Sequence, residues 1–207
     1  MRGMPTHADI DRTALAMTAM TAILWGMTGV FVRLLPPISP YAITASRLLI
    51  ALCVAIPFLF LVRSSWHSFA RSLGFPAAYL LALLLGGYYL LATAAFQMAP
   101  VAEVALLLST PPLFVLALRR LSKDTPTRQE VAGATLAVAG ITLIMAPALL
   151  DSESMFNNRI TGDVLAICAA ACTGFYAFSY RRLAERHAAP DIIGVTILTF
   201  VLGSLIL

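Results

Sequence analysis

The chain has 207 residues, 60% of them hydrophobic and only 12% charged, with a mean hydropathy of +0.88. Soluble domains carry about 25% charged residues, so the composition excludes an ordinary soluble domain, and its apolar content excludes disorder. The net charge of +4 is spread over short loops rather than gathered into the patch that nucleic acid would need. Three cysteines, Cys53, Cys168 and Cys172, all within apolar stretches, make no disulfide framework.

A helix needs roughly 20 mostly apolar residues to cross a bilayer, and the sequence offers seven such runs. They are expected over 14–35, 41–62, 77–97, 101–118, 131–150, 164–180 and 191–207. The first is too long for a signal peptide's apolar core and lacks a small-residue cleavage site. Continuous apolar runs, not alternating ten-residue segments, exclude an outer-membrane barrel. The fold class is therefore an all-α polytopic helical bundle with the lipid bilayer as its surroundings.

Cytoplasmic loops retain Lys and Arg. One set of alternate loops holds Arg2, Arg12, Arg63, Arg71, Arg119, Arg120, Lys123, Arg128, Arg181, Arg182 and Arg186, while the other holds only Arg33 and Arg159. This predicts a cytoplasmic N-terminus, with residues 1–13 as a short polar tail. It also predicts a chain that ends outside, directly after an apolar run, as a truncated protein would.

Taken in chain order, the spans carry polar or aromatic stripes at helical spacing. The first has Thr18, Thr21, Trp25 and Thr28; the third Tyr89, Thr93 and Gln97; the sixth Cys172, Tyr176 and Tyr180; the seventh Thr196, Thr199 and Gly203. Such stripes would line a shared cavity or serve contacts between helices, and both readings stay open. Small residues at Ala166, Ala170 and Gly174, and at Gly133, Ala137 and Gly140, predict close helix packing.

Pro111 and Pro112 fall inside the fourth span, where they remove two donors and free the carbonyls of Leu107 and Leu108. Transporters set such breaks around substrate sites, so Thr110 beside them joins the cavity-lining candidates; neighbouring helices can also satisfy a break that has no such role. Two charges lie within spans, Arg47 and Glu103. They are expected to pair across the second and fourth spans, as an external gate or an anionic-group site. Snorkelling of Arg47 and a simple helix-dipole role for Glu103 are the alternatives.

His7, His67 and His187 and all the aspartates fall in expected loops. No span carries paired metal ligands or a nucleophile with its base, so neither an enzyme, a metal site nor a cofactor is expected.

The chain also repeats itself. GMTGVFVR at Gly26 to Arg33 is echoed by GFYAFSYR at Gly174 to Arg181, each followed by a proline-containing break and another span. Five spans lie between the copies, so the second runs in the opposite direction, as in inverted-topology repeats. Together with LWG at Leu24 to Gly26, the SRLLIA run around Arg47, FQMAPVAEVALLLSTPPLF from Phe96 and VAGATLAVAGITLI from Val131, the sequence resembles EamA-type members of the drug/metabolite transporter superfamily.

That resemblance implies two inverted five-helix repeats around a cavity open alternately to either side. Residues 14–150 would be the first repeat, 151–163 an external loop, and 164–207 an incomplete second repeat. It implies a bacterial cytoplasmic membrane and a transporter of a small organic metabolite or drug. The other reading is a truncated, non-transporting membrane protein that acts as a helix-packing partner. A second copy or a complementing chain would be the natural partner of an incomplete repeat.

Overall fold

Proline and short polar side chains set the helix starts. Pro40, Pro76 and Pro111 each open a helix, where a missing N–H is one that no turn would have used. Ser39 Oγ accepts the amide of Ala42, and Asp191 Oδ1 accepts that of Ile193. In the computed structural model, which describes residues 7–36, 38–61, 63–122, 124, 127–150 and 156–206, these starts resolve nine helices. They are α1 His7–Leu34, α2 Pro40–Leu61, α3 Arg63–Leu73, α4 Pro76–Met98, α5 Val101–Leu107, α6 Pro111–Leu121, α7 Arg128–Leu150, α8 Phe156–Glu185 and α9 Ile192–Ile206. No strand occurs among the described residues.

The all-α polytopic class holds. Leu15–Leu34 of α1, α2, α4, the α5–α6 run Val101–Leu121, and Asn158–Glu185 of α8 are long and apolar enough to cross a membrane. Helices α7, with 23 residues, and α9, with 15, stand where the fifth and seventh spans were expected; at 1.5 Å per residue α9 is about 22 Å long.

Three boundaries differ from expectation. Helix α1 begins at His7, inside the expected tail, and α8 begins at Phe156, so the described part of the expected loop 151–163 is helical. Residues 1–6 and 151–155, with Arg2 and Lys123 of the charge pattern, lie outside the described residues. The third difference is α3, expected as a loop. Its Trp66, Phe69 and Leu73 recur at helical spacing among polar residues, and the Trp66 ring stacks on Phe60 at the end of α2, 6.0 Å away. Ser68 Oγ donates to Asp191 Oδ2 at 2.5 Å, tying α3 to the start of α9.

The bundle is organised by α4, which packs most extensively on α8 and then on α9. Ala95, Ala99, Ala166, Ala169 and Ala170 are all fully buried, and side chains this short let the two backbones approach closely. Helix α8 meets α6 as closely at Gly174, where a Cβ would stand 2.6 Å from Phe114 Cβ and 3.2 Å from the Pro111 carbonyl. A second cluster joins Ala78, Leu81 and Ala82 of α4 to Val195 and Leu198 of α9. The other small-residue stripe does not pack as expected: a Cβ at Gly133 or Gly140 meets nothing within 4 Å, because that face of α7 borders an open groove.

At the α6–α7 turn a capping box forms. Thr127 Oγ1 accepts the Glu130 amide, Glu130 Oε2 accepts the Thr127 amide at 2.8 Å, and Arg119 donates to Glu130 Oε1 at 2.6 Å. The Thr127 amide first, and Arg119 second, hold the exposed Glu130 carboxyl below its usual range.

Two outcomes follow. Gly174→Leu should destabilise the bundle by about 1–3 kcal/mol through overpacking, read as a lower melting temperature in detergent. Because the Glu130 pKa is depressed on folding, its stabilisation is complete above the unfolded value and is lost as pH falls through the lower folded one. Amide protection at Thr127 should therefore fall on acidification in the native chain, and be low at every pH in Glu130→Ala.

Candidate functional site

Three helices bring the polar and aromatic stripes together. Trp25 and Thr28 of α1, Arg47 of α2, and Tyr88, Tyr89 and Thr93 of α4 face a cavity of about 280 Å³. An adjoining space of about 170 Å³ shares Trp25, Arg47 and Tyr89 and is closed by Thr44 and Phe200. The Trp25 and Tyr88 rings stack at 5.4 Å and 11°, and Tyr89 meets Tyr88 edge-on at the same separation. Thr93, 1% exposed, donates its hydroxyl to the Tyr89 carbonyl at 2.8 Å, so it shapes the wall and holds no free donor there.

Tyr88, Thr44 and Phe200 were not anticipated from the sequence. Tyr88 sits one position off the stripe that spacing picks out. Thr44 precedes Arg47 by three residues, one helical turn, and that spacing was the available signal.

Other expected cavity residues lie elsewhere. Thr21 is exposed and donates to the Met17 carbonyl. Gln97 donates to the Ile38 carbonyl at 2.9 Å, tying α4 to the α1–α2 link. Tyr176 and Tyr180 stack on each other at 6.1 Å and pack against the α4–α9 cluster, with Tyr180 donating to the Pro190 carbonyl. Thr110 lines a separate groove of about 850 Å³ between α6, α7 and α8, which ends at Arg119, Glu130 and Arg181.

The expected Arg47–Glu103 pair does not form. Glu103 instead accepts two hydrogen bonds from Arg159, one from Nε at 2.9 Å and one from Nη2. Depth and facing explain the difference. Arg47 lies about 10 Å along α2 from Pro40, whereas Glu103 is in the first turn of α5. Moreover, α2 packs on α9, α4 and α3, and α5 on α8, α1, α4 and α7. Arg33 donates to the carbonyls of Phe96 and Ala99 at 3.3 and 3.2 Å. Both arginines of the sparse loop set therefore close on the same α4–α5 corner.

The proline break is real and largely self-satisfied. Helix α5 stops at Leu107 and α6 starts at Pro111. The Leu107 carbonyl accepts both the amide and the hydroxyl of Thr110, at 3.1 and 2.7 Å, and the Leu106 carbonyl accepts those of Ser109. The prolines thus begin a helix and do not kink one.

Among the described residues two buried side-chain oxygens are left without a partner, Asp163 Oδ1 on α8 and, at the cavity, the Thr44 hydroxyl. For the hydroxyl this state costs about 1–3 kcal/mol. Among the described residues the ion pairs are made by Arg119, Arg159 and Arg181, not by Arg47, and an arginine at mid-span costs about 2.5–3.5 kcal/mol on insertion scales. Among the described residues no cluster of His, Cys, Asp and Glu could hold a metal ion.

The model of the EamA-like transporter family matches residues 12–146, a stretch that holds α2 to α6 with most of α1 and α7. No curated protein and no solved structure matches the chain significantly.

Breaking a buried ion pair by removing one partner costs about 3–5 kcal/mol; with the Arg159 side chain 27% exposed, Glu103→Gln or Arg159→Gln should cost about 2–3 kcal/mol of thermal stability. The exchange Glu103→Arg with Arg159→Glu should recover part of that loss. Glu103→Arg with Arg47→Glu should recover none, as measured by melting of the purified variants.

Proposed function

The chain belongs to the EamA-like transporter family, whose members are membrane transporters and not enzymes, and on that premise we propose that it moves a small organic metabolite or drug by alternating access. The observation that carries this reading is the cavity walled by Trp25, Thr28, Tyr88 and Tyr89, with Arg47 at the junction of its two compartments. An aromatic wall gives a substrate apolar contact area at little entropic cost, and a few polar groups fix its orientation. The cavity lies between helices, away from the lipid-facing sides of α1 and α2 that present Met20, Ile23, Ile50 and Val54.

In this reading residues 14–150 are the first five-helix repeat and 164–207 the opening of an inverted second repeat, which rocks against the first. The distribution of arginines supports a cytoplasmic N-terminus, and the family likeness is what supports a bacterial inner membrane. Transport needs no covalent chemistry and no cofactor. The substrate exchanges water for the cavity wall, and the release side is set by which face is open.

Expression in a bacterial host tests this. Cells carrying the chain should redistribute at least one organic metabolite between cytoplasm and medium, relative to cells carrying Thr28→Trp at equal membrane abundance, because the larger side chain fills the cavity. A chain that is inserted and folded yet moves nothing, or a filled variant that behaves as the native one, would favour the packing-partner reading.

A further inference from the structure

Thr21, Thr93, Thr142, Thr196 and Thr199 each donate their hydroxyl to the carbonyl four residues back. Thr44, buried like Thr93 and Thr199, does not. Its side chain is 1% exposed, its Oγ1 has no partner, and it faces the smaller compartment together with Arg47. Residues three apart on a helix share a face, so a hydroxyl and a guanidinium converge on one space. Arg47 is half-buried and lines the larger compartment with Tyr88 and Tyr89, yet it takes part in none of the ion pairs among the described residues.

We propose that Arg47 and Thr44 form a carboxylate-binding point, and that the cargo is a compact organic acid carrying one negative charge. The proposal rests on the transport reading for the ligand being cargo, but not for the existence of the site. A planar carboxylate accepts two parallel hydrogen bonds from a guanidinium and has lone pairs left for the Thr44 hydroxyl. One cation neutralises one anion. A phosphate dianion would bring surplus charge into a poorly solvated site, and a neutral molecule would leave Arg47 uncompensated. The acid's head fits the 170 Å³ compartment, and its apolar body extends past Trp25 and Tyr89 into the 280 Å³ compartment.

The chain has two tryptophans, and Trp66 lies on α3, away from the cavity. In a Trp66→Phe background Trp25 alone reports on the site. The full chain in lipid nanodiscs at neutral pH is titrated with sodium benzoate, with its neutral isostere benzamide, and with sodium chloride. Benzoate should change Trp25 fluorescence saturably and bind at least about tenfold more tightly than benzamide, as expected for a charge-assisted pair. Chloride should act only at far higher concentration. Arg47→Gln should weaken benzoate about tenfold or more and leave benzamide unchanged; Thr44→Val should weaken benzoate less, and Thr44→Ser should keep it.

Equal affinity for benzoate and benzamide, no saturable benzoate response, chloride acting at benzoate's concentrations, or benzoate affinity unaltered in Arg47→Gln would each overturn the proposal. Should Arg47→Gln fail to fold, the benzoate-to-benzamide ratio of the Trp66→Phe chain decides alone. Arg47-dependent benzoate binding without any metabolite flux in cells would overturn the transport reading and keep the site. Flux of neutral compounds with no preference for benzoate would do the reverse.

Discussion

Hydrocarbon offers no hydrogen bonds, so every place where a helix in a membrane starts, stops or breaks must find its partners within the chain. Most of the local structure here answers that demand. The carbonyls at the end of α4 meet Arg33, the Ile38 carbonyl meets Gln97, and the interruption at 108–110 folds the hydroxyls of Ser109 and Thr110 back onto the last turn of α5. Arg159 then fixes Glu103 at the same corner. Against this background the Thr44 hydroxyl stands out, because the other buried threonines, Thr93, Thr110 and Thr199, each turn theirs onto a carbonyl of the preceding turn.

The division of labour around α4 places the cavity. Positions 92, 95 and 99 carry alanines, which pack against α8 and α5. Tyr88, Tyr89, Thr93 and Phe96 line the cavity toward α1 and α2. The alanine side closes tightly because its side chains are short, and the aromatic side cannot close because its rings are long. A helix with two such unlike faces holds its neighbours at two different distances, and the space between α1, α2 and α4 is the result.

Hydropathy and charge made the helical, membrane-spanning character and the general run of spans legible, since both act over whole segments of 20 residues. Facing was legible only in part. Spacing along one helix groups Trp25 with Thr28 and Tyr89 with Thr93, but says nothing about which stripes of different helices meet, so Tyr176 and Tyr180 lie against the α4–α9 cluster and Thr110 faces another groove. The pairing of Arg47 with Glu103 failed for the same reason: two lone charges in neighbouring spans look complementary until their depths and facing sides are known. Arg159 was visible only as a loop charge, one turn before an apolar run, and α3 was hidden because its polar residues outweigh its four apolar ones.

The shortness of α5 carries a mechanical consequence. Seven residues are too few for a helix to persist by itself, so α5 keeps its form through the burial of Val104 and Leu107 and the grip of Arg159 on Glu103. Helix α6, by contrast, has none of its side chains fully buried. Between the two the backbone ladder is already interrupted, with its carbonyls engaged locally. In the joint at 108–110 the amides of Ser109 and Thr110 reach only three residues back, so the direction of α6 is set less by the backbone than by its packing on α8 at Gly174.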